Sequence, residues 1–318
     1  MLSSLKSCTS VIKVYSRQSK WRESISFLND MRQRKVAPDV IAYGTAIGAC
    51  TKSAQWTHAL ALLEEIEVVR ITPDVITHNT AINACAKGTE WQRALSLLED
   101  MHFSSLKMDV ITCSIAISAC ERGTEWEQAL SLLAAAQRTR IELDTITYNA
   151  VVSALEKGAE WQQSYCLLAE MQQHRIVCDV ITYSAAISAC EKGNEWQQAL
   201  GLLAAMRQYE LGVDVIICSA VISACEKGAE WRHALGMLTE MMHINLEVDV
   251  IAFNAAISAC GKGAEWQQAL ELVSLMLASG LRLDQITYNA VMSACEKGGK
   301  WQHALDMLRD MQRDSVDV

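Results

Sequence analysis

Three sets of side chains recur along this sequence at a fixed spacing, and each offers its own chemistry. The first is an aspartate. Asp39, Asp74, Asp109, Asp144, Asp179, Asp214, Asp249 and Asp284 lie 35 residues apart. An ionised carboxylate only accepts hydrogen bonds. It caps helix N-termini well, but Ser and Asn cap equally well and Thr nearly so, and none of them replaces it at the eight sites. Something beyond capping therefore selects the carboxylate. The second set is cationic: Arg17, Lys52, Lys87, Arg122, Lys157, Lys192, Lys227, Lys262 and Lys297, again 35 apart. A cation at a helix C-terminus gains about 0.3–1 kcal/mol from the dipole. That gain explains a preference, but an unbroken series of nine in an acidic chain fits a phosphate backbone better. The third set is small and polar: Thr9, Asn79, Ser114, Asn149, Ser184, Ser219, Asn254 and Asn289, with Gly44 alone lacking a side chain. It varies while its neighbours hardly do. An unconstrained surface place would also admit Lys, Glu or Gln, so this one reads as a readout position.

All three sets share one period, and the period dictates the elements that carry them. Trp21, Trp56, Trp91, Trp126, Trp161, Trp196, Trp231, Trp266 and Trp301 follow it too, and they are every tryptophan in the chain. A fixed period without insertions marks an array of one supersecondary unit. Counted from the residue after each aspartate, the repeats are 40–74, 75–109, 110–144, 145–179, 180–214, 215–249, 250–284 and 285–318, preceded by a degenerate repeat within 1–39. Each reads helix, turn, helix. Asp179 caps a first helix whose apolar residues are Ile181, Ala185, Ile187, Ala189 and Cys190. Lys192-Gly193 ends it, with glycine expected to take the left-handed conformation. Glu195 opens a second helix in which Trp196, Ala199, Leu200, Leu203 and Met206 share one face. Neither helix can bury its stripe alone, so stacking must, with small residues such as Ala189 and Ala224 allowing close approach. Pro38 and Pro73 fall just before closing aspartates, outside both helices.

Bulk properties narrow the functional classes. A length of 318 residues would suggest about two domains, but the period overrides that prior in favour of one continuous array. No apolar run approaches the roughly 18 residues of a membrane span, so the chain reads as soluble. The net charge of −9 counts against a polyanionic partner when taken alone. An elongated array can nevertheless differ in sign between faces, and Glu90, Glu125, Glu160, Glu195, Glu230 and Glu265 could place negative charge on the other side. Of 12 cysteines, seven (Cys50, Cys85, Cys120, Cys190, Cys225, Cys260, Cys295) occupy one place in the repeat. There is no Cys-x-x-Cys, and they read as small buried hydrophobes in a reducing compartment. No HExxH, Walker loop, GxSxG or metal-ligand spacing interrupts the repeats, and the histidines are scattered. The chain therefore reads as a binding protein with no catalytic residues, metal or cofactor. Residues 1–20 are rich in Lys, Arg and Ser without an acid, which suits either an organellar targeting segment or the first helix of the degenerate repeat. The last repeat stops one residue short, consistent with truncation of a longer protein.

The 35-residue period, the Asp-Val-Ile-Thr-Tyr-Asn/Ser opening, the Lys-Gly turn, the Ala-Leu-x-Leu-Leu-x-x-Met second helix and the Pro-Asp ending resemble pentatricopeptide repeats. The likeness covers essentially the whole chain and is weakest over 1–39. It implies an all-α, right-handed α-solenoid with first helices lining its concave side. It implies single-stranded RNA binding by a monomer, one nucleotide per repeat, in a chloroplast or mitochondrion, with any cleavage or editing supplied by protein partners. By the same resemblance the small polar and closing-aspartate columns select bases. Ile41, Ile76, Ile111, Ile146, Ile181, Ile216, Ile251 and Ile286 sandwich them, and the cationic column touches phosphates. Uracil and guanine present an imino N–H to an acceptor, whereas adenine and cytosine do not, so aspartates favour U or G. The family's code, with Asn for U and Ser or Thr for G, gives G-N-U-G-U-G-G-U followed by a pyrimidine. Gly44 leaves its register undefined, and Asn289 lacks its in-phase aspartate. A tetratricopeptide-like protein-binding scaffold is the alternative, disfavoured because the first-helix columns are nearly uniform except at one small polar place.

Overall fold

The computed structural model describes residues 5–34 and 36–313, and the regular elements among them are all α-helices. Residues 1–4 of the candidate targeting segment and 314–318 of the last repeat lie outside the described residues. The chain divides into two compact units, Met1–Gly158 and Ala159–Val318. The first holds α1 (Leu5–Arg17), α2 (Trp21–Gln33), α3 (Val40–Lys52), α4 (Trp56–Val68), α5 (Val75–Lys87), α6 (Trp91–Phe103), α7 (Val110–Gly123), α8 (Trp126–Arg138) and α9 (Thr145–Lys157). The second holds α10 (Trp161–Gln173), α11 (Val180–Lys192), α12 (Trp196–Gln208), α13 (Val215–Lys227), α14 (Trp231–His243), α15 (Val250–Lys262), α16 (Trp266–Ala278), α17 (Gln285–Lys297) and α18 (Trp301–Arg313). This is an all-α repeat solenoid, and its helices keep the 35-residue phase of the sequence.

A 13-residue helix is marginal in water on its own, so packing must hold each one. In the first unit α3 packs against α1 and α5 on either side, against its own partner α4, and against α2 of the repeat before. In the second, α13 meets α11, α15, α14 and α12 in the same way. Within each unit first helices thus form a layer, and second helices bridge adjacent members of it. The closely packed layer needs small side chains. Ala49, Ala84, Ala119, Ala154, Ala189, Ala224, Ala259 and Ala294 all lie at one place and are fully buried. Larger apolar groups fill the space between layers, such as Ile47, Leu63 and Ile66 in the first unit or Ile187, Leu203 and Met206 in the second. Each fully buried side chain of this size contributes about 1.5–3 kcal/mol. The cysteine column belongs to this core. Burial pushes the Cys50, Cys85, Cys120 and Cys225 thiols up to about 11, and Cys190 and Cys260 to about 12, the nearby glutamates adding to it at all but Cys50. They stay protonated and unreactive.

The turn between the helices differs from the sequence expectation. Gly193 is right-handed, at φ −79°. The left-handed residue is the next one, Asn194, at φ 61°, and its counterparts are Thr89, Thr124, Ala159, Ala229, Ala264 and Gly299. Glu195 N–H then reaches back to Cys190 O at 2.9 Å and Asn194 N–H to Glu191 O at 3.2 Å, the paired bonds of a Schellman ending. Glycine is required for another reason: a Cβ at Gly193 would overlap the indole of Trp161, one repeat earlier. The same clash awaits at Gly88, Gly123, Gly158, Gly228, Gly263 and Gly298. Tryptophan and glycine are two halves of one inter-repeat joint. The glutamates that open second helices make no side-chain cap bond; the dipole favours their charge there, and Glu230 also lies 3.7 Å from His233 Nδ1.

Candidate functional site

Every closing aspartate is the N-cap of the following first helix. Asp39, Asp74, Asp109, Asp144, Asp179, Asp214, Asp249 and Asp284 each accept the backbone N–H three residues on, at 2.8–3.0 Å, through Oδ1. The helix thereby fixes each carboxylate at its N-terminus, where the dipole favours negative charge. Burial raises the Asp109 and Asp284 pKa, but backbone and hydroxyl donors with an asparagine amide outweigh it, and both end below the usual carboxylate range. Asp144 is lowered chiefly by the Thr147 hydroxyl. These groups are ionised acceptors at neutral pH.

The small polar column comes to the same place. Asn79 Nδ2 donates to Asp109 Oδ1 at 3.4 Å. Asn254 Nδ2 donates to both oxygens of Asp284 at 3.1 Å. Residues 30 apart in sequence thus form one hydrogen-bonding pair, with donor and acceptor side by side. Ser114 donates to Val110 O at 2.8 Å and meets the Thr147 hydroxyl. Ser184 and Ser219 lie at the equivalent place on α11 and α13, half-buried, and Thr9 on α1 likewise. Asn149 is half-buried at the start of α9, and Asn289 is exposed on α17. A Cβ on Gly44 would approach Thr77 Oγ1 at 3.2 Å, so that register presents backbone only.

The isoleucine column lies three residues before the polar one, one turn away on the same helix face. Ile41, Ile76, Ile111, Ile146, Ile181, Ile216, Ile251 and Ile286 are 60–73% exposed. A single exposed isoleucine is ordinary, but four at one place in each unit, one turn from the small polar column, form an apolar surface suited to a flat, stacking ligand.

The cationic column sits at the other end of each first helix, eight residues or about 12 Å along. In one groove of about 180 Å³ the two ends meet the same surface: Asn83, Ala86, Ser114, Ile115, Ser118 and Arg122 line it together. The cations are not uniformly free. Lys157 Nζ donates to Glu121 O at 2.9 Å and to Glu121 Oε1 at 2.8 Å. Lys227 bonds Glu191 O and Oε1 at 3.1 Å, Lys262 pairs with Glu226 at 2.8 Å, and Lys52 caps Ser16 O at 3.1 Å. Lys192 also has an interaction of its own. Lys52, Lys157, Lys227 and Lys262 reach across to the preceding first helix, and the first three bond a carbonyl at its end. Arg17, Lys87, Arg122 and Lys297 have no such partner among the described residues.

Two features escaped the sequence reading. One is the glutamate before the cation, 36 residues ahead of the lysine it binds. The other is the threonine at the third place, Thr77, Thr112, Thr147, Thr182 and Thr287, which is buried against the closing aspartate. The Asp-Val-Ile-Thr opening carried that signal, but only as a motif.

The family model described as the PPR repeat family matches residues 4–52, 38–87, 73–122, 143–192 and 248–297, and that of the PPR repeat matches 181–211 and 286–316. No curated protein matches the chain in a sequence search. Among solved structures, the pentatricopeptide repeat protein PPR10 from maize aligns over 97% of this chain at 19% identity, with a TM-score of 0.59. The chain spans about half of that structure, 49%. PPR10 in complex with an 18-nucleotide psaJ RNA element aligns at 15% identity and TM-score 0.48, over 99% of this chain and 56% of that one. The PPR domain of Arabidopsis thaliana protein-only RNase P 1, in complex with tRNA, aligns at 10% identity and TM-score 0.49, over 54% of this chain and 91% of that one.

Proposed function

Because the chain belongs to the pentatricopeptide repeat family, we propose that it binds single-stranded RNA in a sequence-selective manner, one nucleotide per repeat. The observation that carries this reading is the pairing of Asn254 with Asp284 and of Asn79 with Asp109. Each pair sets an amide donor beside an ionised acceptor, within a turn of an exposed isoleucine. A base edge with a carbonyl next to an imino N–H, as in uracil, satisfies both groups. Cytosine offers an acceptor where the aspartate needs a donor, so it leaves a carboxylate unpaired. Serine in place of asparagine shifts the preference toward guanine, as the family's code implies. The array reads G-N-U-G-U-G-G-U and then a pyrimidine, and its cationic ends contact the linking phosphates. The PPR10 and protein-only RNase P 1 structures in complex with RNA come from the same family and agree with an RNA ligand. We assign the activity to organellar RNA metabolism, in chloroplast or mitochondrion, with the chain contributing binding and its protein partners any cleavage or editing.

The test is direct competition. The purified chain is titrated with a labelled strand carrying the G/U element at about 0.15 M salt, against unlabelled G/U-rich and A/C-rich strands of equal length. The G/U strand displaces the label at far lower concentration. Equal displacement by the A/C strand would reject the base-reading proposal, and no binding of either would reject RNA as the ligand.

A further inference from the structure

The buried threonines beside the base-selecting pairs have a role in neither capping nor core packing alone. Thr112 Oγ1 lies 2.8 Å from Asn79 Oδ1 and 2.7 Å from Asp109 Oδ1. Thr287 Oγ1 lies 2.6 Å from Asn254 Oδ1 and 2.8 Å from Asp284 Oδ1. Each hydroxyl thus touches the acceptor atoms of both members of a pair. The two ends of an asparagine amide have the same shape, and a flip exchanges donor for acceptor. The hydroxyl has one proton to share between the two acceptors; when it turns to the amide Oδ1 it marks that end as the acceptor, and together with the acceptor-only carboxylate it directs Nδ2 toward the carboxylate and the ligand.

We infer that the third-place threonine of the following repeat is a positioning residue for base selection, which locks the asparagine amide as a donor and makes selection a property of three residues per register. The sequence pairs them accordingly. Asn79, Asn149 and Asn254 are each followed 33 residues later by Thr112, Thr182 and Thr287. Ser184 and Ser219 are followed at that distance by Ile217 and Ala252, and Thr9 by Ala42. A hydroxyl turns its own proton and has no ends to confuse, so it needs no clip. Ser219 Oγ accordingly has no hydrogen-bond partner among the described residues. Ser114, facing Thr147, is the one hydroxyl register with the clip.

This inference rests on the RNA-binding reading, and its test separates the two. Affinity for strands differing only as U or C at the Asn79 register is measured for the wild type, Thr112→Val and Thr112→Ser, alongside the melting temperature. Valine keeps the shape and removes the hydroxyl, and serine returns it. The U-over-C ratio falls roughly three- to tenfold in T112V, the worth of one hydrogen bond, and T112S keeps the wild-type ratio. An unchanged ratio in T112V with a lower melting temperature overturns the inference, because a core prop would give that result. The gain-of-function arm needs no loss of packing: Ser219→Asn alone gains a weak preference for U over C, and adding Ala252→Thr raises it roughly three- to tenfold. No rise overturns the inference even where T112V does not fold. A wild type without any U-over-C preference at the Asn79 register defeats the base-reading proposal itself, and this inference with it.

Discussion

Each closing aspartate divides its two oxygens. Oδ1 takes the cap bond throughout, and Oδ2 carries a described bond at Asp284, from Asn254. A serine, threonine or asparagine cap has one acceptor atom where a carboxylate has two, so on the base-reading proposal a carboxylate keeps an oxygen for a ligand while the other caps. The depressed pKa values of Asp109, Asp144 and Asp284 make this testable through pH. A carboxyl whose folded pKa lies below its unfolded value, about 3.9, stabilises the fold fully above that value. The stabilisation is lost as pH falls through the folded pKa. Urea stability of the array is therefore flat from pH 7 to about 5 and declines below it. In the triple variant Asp109→Asn, Asp144→Asn, Asp284→Asn the decline is shallower and begins from a lower stability at pH 7, because asparagine keeps the cap but not the charge that the folded state favours. A parallel decline in variant and wild type would remove these aspartates as its cause. The carboxylates and the small polar places were legible as columns in the sequence. Their threonine was not, because Thr112 acts on Asn79 from 33 residues away, and periodicity alone cannot say which columns of adjacent repeats touch.

At the scale of the element, helix positions followed directly from the period, since the aspartate and tryptophan mark each start and Lys-Gly each stop. What the sequence misled on was the reason for the glycine. A Gly at a helix end ordinarily signals a left-handed backbone, but here the left-handed task falls to residues such as Ala229, at φ 58°. Gly228 instead makes room for Trp196. The two explanations part at the neighbouring residue and in the coupling to the indole. Gly228→Ala drives a methyl into the indole and costs about 1–3 kcal/mol, the price of overpacking. Ala229→Gly relieves a left-handed alanine and stabilises by up to about 1 kcal/mol. The cost of Gly228→Ala shrinks in a Trp196→Leu background, a coupling visible in a double-mutant cycle of urea midpoints. Additive costs would show that the joint between these repeats lies elsewhere.

At the scale of the whole molecule, the RNA-binding proposal asks an acidic protein with a net charge of −9 to meet a polyanion through a local surface, and the ion pairs sort which cations are available for that. Lys157, Lys227 and Lys262 hold glutamates of the preceding repeat, so phosphate must compete with an existing partner. Lys87 and Arg122 have none among the described residues, and Arg122 shares a groove with Ser114. For a single strand the slope of log affinity against log salt is about −0.7 per phosphate neutralised. Lys87→Ala with Arg122→Ala should therefore flatten the slope by about 1.4 and weaken all sequences alike, since phosphate contacts carry no base information. Lys157→Ala with Lys227→Ala should flatten it less, and should lower thermal stability by the modest worth of exposed pairs, about 0.2–1 kcal/mol each. Filter-binding titrations from 50 to about 300 mM salt, within the range where such slopes are read, decide between the outcomes. Equal flattening by both double variants would mean that the glutamates release their lysines to RNA. No flattening by either would mean that the cationic column serves only to tie one first helix to the next, and that phosphate is held by other groups.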